Sequence, residues 1–478
     1  MRPPLTKELW YQNDDEKVKN LIFRTYGGKE RTIFFEKEGY FFEPKELESN
    51  EHGGTALALG LKVSKIDVDD QIVYFDNGQK IKYEKCLIAT GGTPKNLEIF
   101  KNAPPPISQK VLLFRTVEDF NKLNDLVHKV QSIVIVGGGF LGSELACALG
   151  KKSAELKSFK VIQVFPEKGN LGLVLPEYLS KFATEKIKQE GAEILAERKI
   201  HQASYDKTAD KVLLTLDDNS EISADLVVVA VGLDANIDLA KASDLEVDPR
   251  LGGFLVNSEL EARSNLWAAG DAACFYDVRL GRRRVEHHDH AVVSGRLAGM
   301  NMTGARKPYK HQSMIWSDIG PYIGFEAIGL IDSALPTVSV FAKLPNSSTP
   351  DTNIDDAKSQ DSEKTDPNPQ IKELTLEETS SKLNSLDDDE YRKGIVFYLK
   401  DDVVVGVLMW NVFSGMSVAR QIIQESRKFD DYAEVAKLFH LFYKPEDEDD
   451  KDKTKEPDQT ETKAKKEVGE GAGFYVGR

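Results

Sequence analysis

The apolar positions of this chain fall into two rhythms. Residues 32–92 are rich in short β-branched runs bounded by polar turns. Strands are expected at 62–68, Ile72–Phe75 and 80–83, separated by Asp69-Asp70 and Asn77-Gly78. Residues 32–35 and 40–42 read as a hairpin, Cys86-Leu87-Ile88-Ala89-Thr90-Gly91-Gly92 as a buried strand entering a glycine turn, and the prolines at 104–106 as a linker. From residue 132 strands alternate with helices. Helices are expected at 176–190, 287–300, 417–423 and 432–442, and strands at Lys211–Leu216, 226–231 and 266–269. Strand-like sequence returns at 314–343, 394–399 and Val403–Trp410. The pattern predicts an α/β fold.

Composition narrows the class. At 478 residues with 40% hydrophobic content, the chain can bury large cores in two or three domains. No apolar run reaches the length of a membrane span, and the first residues show no targeting pattern. Cys86, Cys147 and Cys274 lie far apart, which argues against both a redox-active dithiol and a disulfide scaffold. The net charge of −15 is localised: residues 345–390 carry −9 and residues 445–470 carry −5, leaving about −1 elsewhere. Both acidic stretches are too polar to bury a core and are expected to be a disordered insert (345–390) and a disordered tail (445–478). Arg279 with Arg282, Arg283 and Arg284 reads equally well as a basic patch or as a loop with carboxylate partners.

The chemistry concentrates at Ile133-Val134-Ile135-Val136-Gly137-Gly138-Gly139-Phe140-Leu141-Gly142-Ser143-Glu144. A β-branched strand runs into Gly-x-Gly-x-x-Gly and then into an Ala/Leu-rich helix, the order that cradles a dinucleotide pyrophosphate. Gly137 permits the tight turn, Gly139 lets the backbone approach the phosphates, and Gly142 lets helix and strand pack closely. The helix N-terminus then offers free N–H groups and partial positive charge to the anion. Glu167, just past the next strand, stands where an acid binds a ribose 2′-OH and favours NAD over NADP, an effect that Lys168 softens.

Two further pieces flank this unit. Ala89-Thr90-Gly91-Gly92 closes one apolar strand, and Leu266-Trp267-Ala268-Ala269-Gly270-Asp271 closes another. With the glycine loop between them they resemble the flavoprotein pyridine-nucleotide-disulfide reductase superfamily. The resemblance sharpens at Arg2-Pro3-Pro4-Leu5-Thr6-Lys7-Glu8-Leu9-Trp10, at Ser-Glu-Leu-Ala-Cys-Ala-Leu-Gly ending on Gly150, and at Phe165-Pro166-Glu167-Lys168-Gly169-Asn170. It continues at Gly281-Arg282-Arg283-Arg284-Val285-Glu286-His287-His288-Asp289-His290 and His311-Gln312-Ser313-Met314-Ile315-Trp316-Ser317-Asp318. Together these are similar to the apoptosis-inducing factor family over residues 2–343 and 394–442.

The resemblance implies two nested Rossmann-like (glutathione-reductase-like) dinucleotide-binding domains plus a C-terminal α+β domain: a first part of an FAD domain at 1–92, an NAD domain at 93–232, a second FAD part at 233–310 and a dimerisation-type domain at 311–444. It implies an FAD flavoprotein that oxidises NADH, forms a reduced flavin–NAD charge-transfer complex and passes electrons slowly to an acceptor. FAD contacts would fall on Arg2, Lys7, Val63, Arg115, Asp271, His287 and His288. NAD contacts would fall on Gly138, Gly139, Phe140, Leu141, Glu167, Gly232, Glu286, His287, Trp316 and Glu326. Lys7, Glu144 and His287 would be catalytic, with Lys7 and Glu144 paired beside the flavin ring and Phe140 gating the nicotinamide face. The family setting is the mitochondrial intermembrane space, with passage to cytosol or nucleus after release, an NADH-induced homodimer, an import or respiratory-chain-assembly partner and a role in caspase-independent cell death. Lys85, Lys95 and Lys343 would contact DNA without sequence preference. No metal is expected, because no Cys or further acid completes a site around His287, His288 and His290.

Departures set the alternatives. The family's first strand and first glycine loop would precede Met1, and no second strand–glycine–helix unit follows, so the flavin half is expected to lack its phosphate loop. A DNA-binding death effector with incidental redox chemistry, and a flavin-deficient fragment that binds NAD or protein, are the other readings. Tyr26 replaces a family Trp, Leu173 a lysine near the adenine, and Leu255 an arginine of the dimer contact, whereas Glu246 and Arg263 match.

Overall fold

Alternate residues of one strand divide the centre of the molecule between two cores. In the computed structural model, which describes residues 2–25, 28–37, 39–47, 49–342, 372–374 and 391–441, Ser132–Val136 is the middle strand of a five-stranded parallel sheet. The order is Ala192–Leu195, Lys160–Val164, Ser132–Val136, Leu226–Val229, Val111–Leu113. Ile133 and Ile135 pack with Leu145, Leu149, Leu179 and Phe182 of the helices Phe140–Leu156 and Glu177–Gln189. Val134 and Val136 pack with Val212, Leu214 and Leu216 of the antiparallel sheet formed by Ile200–Asp206, Lys211–Leu216 and Glu221–Ala224. This two-residue period is what a strand buried on both faces requires.

A second body has its own core. Cys86–Ile88 pairs in parallel with Leu266–Ala268, and the antiparallel strands Val63–Asp67, Ile72–Phe75 and Lys80–Lys82 lie beside them. Ile66, Ile88, Phe254, Leu266, Trp267 and Phe275 form that core, against which the helix His288–Met302 packs.

The C-terminal sheet is antiparallel: Met314–Ile319, Ile323–Gly329, Val403–Trp410, Gly394–Lys400, Thr337–Phe341 and Lys372–Leu374. Its Ile315, Phe325 and Trp410 belong to the same apolar cluster as Leu145 and Phe182, so this sheet and the helical face of the central sheet share one core.

Some sequence expectations change. The first hairpin pairs Ile22–Arg24 with Glu30–Thr32, and residues 40–42 contribute only a bridge from Phe42 to Ala56. Phe34, Phe35, Tyr40 and Phe41 are exposed, so their apolar character signals no buried strand. The prolines at 104–106 open a helical turn, Pro105–Ser108, with proline at its first position, where no N–H is needed. Within the insert expected to be disordered, Lys372–Leu374 adds a strand to Thr337–Phe341, whose edge offers unpaired backbone groups. The rest of the insert, the tail, Lys343 and Tyr26 lie outside the described residues.

Trp410 is fully buried, stacks on Phe325 at 5.9 Å and donates its indole N–H to the Tyr391 carbonyl at 2.8 Å. Replacing it with alanine is expected to cost roughly 3–5 kcal/mol, read as a lower urea midpoint.

Candidate functional site

The glycine turn is closed from behind by a buried polar network. A Cβ on Gly142 would lie 2.1 Å from the Gly137 carbonyl oxygen, and one on Gly137, whose φ is +120°, would lie 2.3 Å from the Ala230 oxygen. These two glycines are therefore steric requirements of the fold. Gly138 faces the Phe165 ring at 2.6 Å by the same measure, which makes it a packing glycine too. Gly139 differs, because a Cβ there meets nothing within 4 Å. The Gln163 side chain donates to the Gly137 oxygen at 2.8 Å, and Asn170 Nδ2 donates to Gln163 Oε1 at 2.8 Å and to Ser143 Oγ at 2.9 Å. Leu171 N–H reaches the Gly138 oxygen at 2.7 Å. The following loop is thereby fixed against the turn.

The turn opens into a cavity of about 930 Å³. Gly139, Phe140, Leu141 and Glu144 form one wall, with Gly232 nearby. Arg2, Lys7 and Arg115 come from elsewhere in the chain, and Glu286, His287, His288 and Trp316 from further segments. Glu144 is buried, and its carboxylate accepts from Thr6 Oγ1 at 2.5 Å and Ser317 Oγ at 2.7 Å. Lys7 Nζ lies 3.4 Å from Glu144 Oε1 and 3.4 Å from Asp318 Oδ2, with its side chain only 3% exposed. Burial acts to lower the Lys7 pKa, but Glu144, Asp318 and Glu8 together raise it above its ordinary value. The ammonium is thus held charged beside the cavity.

The histidine wall carries the opposite balance. Burial, reinforced by the Arg283 charge, pushes His287 down to about 4. Its Nδ1 is buried and has no hydrogen-bond partner. His287 also lines the cavity, and a neutral imidazole there can hydrogen-bond a ligand without adding charge. His288 is also lowered by burial, and its ring meets Trp316 edge-on at 6.1 Å. Asp271 is buried and does not itself line the cavity, but its Oδ2 accepts from two residues that do, Arg115 at 2.8 Å and Arg2 at 3.2 Å. Glu286 pairs with Arg284 at 2.7 Å, yet burial holds its carboxyl above the usual range.

The remaining expectations divide. Gly138 and Glu167 belong to the turn and to the end of its neighbouring strand without lining the cavity, and Glu326 faces Trp316 across the strand pair without lining it. Val63 packs into the second core instead. Lys85 donates to the Met302 carbonyl and Lys95 lies 3.3 Å from Asp234, so both ammonium groups have protein partners. The arginine run is structural. Arg279 binds the Ile423 and Gln424 carbonyls, Arg282 the Val256 and Cys274 carbonyls, Arg283 the Gly329 carbonyl and Arg284 the Leu251 carbonyl. Thr6, Phe35 and Ser317 were not anticipated. No spacing in the sequence marks them, since each meets the site only through long-range packing.

A family model for pyridine nucleotide-disulphide oxidoreductases matches residues 1–295, and a model for the mitochondrion-associated C-terminal domain of apoptosis-inducing factor matches residues 298–425. A Drosophila melanogaster protein named for apoptosis-inducing factor 1, mitochondrial, is 49% identical over 449 residues, covering 92% of this chain and 60% of the relative. The Dictyostelium discoideum protein named apoptosis-inducing factor 1, mitochondrial, is 37% identical, covering 90% and 72%. The fold is similar to that of a ferredoxin reductase from Rhodopseudomonas palustris, with a TM-score of 0.65 at 20% identity, covering 90% of this chain and 86% of that one.

Two outcomes follow from the electrostatics. His287 is held neutral in the fold, so protons bind the unfolded chain first as pH falls below its ordinary 6.5. Stability should decline from about pH 6.5 to about pH 4, and His287→Gln should flatten that limb in denaturation midpoints measured across pH. Glu144→Gln removes one of the two carboxylates that lie 3.4 Å from the buried Lys7 and should cost up to roughly 3–5 kcal/mol in chemical denaturation.

Proposed function

We propose that this chain, which belongs to the pyridine nucleotide-disulphide oxidoreductase family in its apoptosis-inducing factor branch, binds NAD(H) on the Gly137–Gly142 turn and presents its nicotinamide to a flavin in the cavity beyond Phe140. FAD and NAD(H) are the cofactors of the family. The observation that carries the reading is the open approach at Gly139, at a helix N-terminus without a side-chain cap, on a cavity that the neutral His287 also lines. Together the two cofactors supply hydride transfer. The chain's own residues do the rest. Backbone N–H groups opening the helix Phe140–Leu156 bind the pyrophosphate. Phe140 and Trp316 confine the ring from two sides. The Lys7–Glu144 pair keeps a cation fixed against the flavin edge, where it tunes the cofactor's electronics. His287, neutral at working pH, donates or accepts a hydrogen bond without adding charge.

The mitochondrial setting and the role in cell death belong to the same proposal and are supported by the names of the Drosophila and Dictyostelium relatives; roles in respiratory-chain assembly and an NADH-dependent dimer are proposed with them on family resemblance alone. DNA association is supported less well, since Lys85 and Lys95 are engaged within the fold. One observation favours a second reading, a nicotinamide-nucleotide binder without turnover: among the described residues there is one strand–glycine-turn–helix unit, and it lies on the nicotinamide side. Visible flavin absorbance co-purifying with the chain separates the two.

Gly139→Ala is the decisive substitution. The fold has room for the methyl, so the thermal midpoint should stay within a degree or two while NADH affinity falls by about tenfold or more. Gly142→Ala should lower the thermal midpoint itself. Unchanged NADH affinity in a folded Gly139→Ala variant would overturn the assignment.

A further inference from the structure

A second set of charges surrounds the far end of the nucleotide site, and the hydride chemistry has no use for it. Lys160–Val164 ends just before Glu167 and Lys168. Lys168 Nζ lies 2.9 Å from Glu177 Oε2, and Lys181 Nζ lies 2.7 Å from Glu177 Oε1, so one carboxylate holds both ammonium groups. On the adjacent backbone, Glu197 N–H donates to the Glu167 oxygen at 3.0 Å and Arg198 N–H to the Phe165 oxygen at 3.0 Å. Arg198 is thereby brought to the same strand end, and its Nε donates to Asp218 Oδ2 at 2.8 Å. Each of these three cations already has a carboxylate. Glu167 itself enters no ion pair among the described residues, and its side chain lies against Gly172, where a Cβ would stand 3.0 Å from the Glu167 Cβ.

NADP(H) differs from NAD(H) by a 2′-phosphate dianion on the adenosine ribose, and such a group needs a cation to replace its water. We propose that Glu177 determines coenzyme specificity by holding Lys168 and Lys181, so that a 2′-phosphate meets the Glu167 carboxylate and no available cation. The sequence pair Glu167-Lys168 alone leaves the preference open. The geometry resolves it, because the lysine that could accept the phosphate is engaged by a helix residue nine positions later. Lys168 is 64% exposed and its side chain is free to swing, so Glu177, rather than distance, withholds it. This inference rests on the nicotinamide-dinucleotide reading of the glycine turn.

The test is coenzyme binding to the whole chain, read by quenching of tryptophan fluorescence, with NADH and NADPH as probes at low and high salt. The unsubstituted chain should bind NADH more tightly than NADPH. Glu177→Gln should tighten NADPH binding by about three- to fivefold at low salt, the range that one exposed charge pair supports. NADH affinity should move by less than that, and the gain should fade at high salt. Adding Lys168→Gln and Lys181→Gln to Glu177→Gln should remove the gain, which a merely structural role of Glu177 at its helix N-terminus would not produce. If NADH binds while NADPH affinity is unmoved in a folded Glu177→Gln variant, or both affinities shift together, the specificity role is overturned and the nucleotide site stands. If neither coenzyme binds the unsubstituted chain, the site reading fails and this inference falls with it.

Discussion

One buried carboxylate holds the working part of the molecule together. Glu144 lies one turn into the helix that starts at the glycine loop, and it is removed from water. A charge in that position is tolerable only when it is paired and hydrogen-bonded. Its partners come from two other parts of the chain: Thr6 and Lys7 from the first turns, and Ser317 from the first strand of the C-terminal sheet, with Asp318 sharing the lysine. Satisfying Glu144 thus fixes the loop, the N-terminal turns and the sheet relative to one another. Aromatic packing follows the same line, from Phe140 to Phe325 at 6.2 Å and on to Trp410 at 5.9 Å.

Around that anchor the cavity is polar but nearly compensated. Arg2 and Arg115 share Asp271, Arg284 takes Glu286, Lys7 lies between two carboxylates, and His287 is kept neutral by burial. The positive potential left without a side-chain partner is the helix N-terminus behind Gly139, where Gly139 as N-cap receives no side-chain hydrogen bond. In the proposed complex anion binding would therefore be localised by the backbone, and the side chains would orient the two rings. A cavity lined with unmatched cations would bind phosphate anywhere along its wall. This one has a single preferred end.

The glycine unit was legible in the sequence because each of its constraints is local. Gly137 needs its positive φ, Gly142 needs its close approach, and the flanking strand and helix announce themselves by composition. The parallel sheet and the helices at 176–190 and 287–300 followed from periodicity for the same reason. The pairing of Lys7 with Glu144 spans more than a hundred positions, and only resemblance to a family brought them together. Thr6 and Ser317 carried no signal, since a hydroxyl becomes functional here only after packing places it beside a carboxylate. In the sequence the arginines from 279 to 284 fit a basic patch and a loop with carboxylate partners equally well. In the fold their guanidinium groups bind backbone carbonyls: Arg279 and Arg283 those of the C-terminal helix and sheet, Arg282 and Arg284 those of the second body itself. Exposed Phe34 and Phe35 show the same limit, because an apolar run predicts burial only where something lies on top of it.

A site assembled from three segments ties binding to stability. A nucleotide that recognises only the assembled cavity adds RT ln(1 + [L]/Kd) to the folded state, about 2.7 kcal/mol at a hundredfold excess over Kd. That increment acts on every contact that completes the cavity, the Glu144 cluster included. It also explains the division of labour among the glycines. Gly137 and Gly142 answer to the fold, with backbone oxygens about 2 Å from where a side chain would begin, while Gly139 answers to the ligand and faces open space. Placing both requirements in one six-residue turn makes the same backbone serve as the hinge of strand and helix and as the floor of the site.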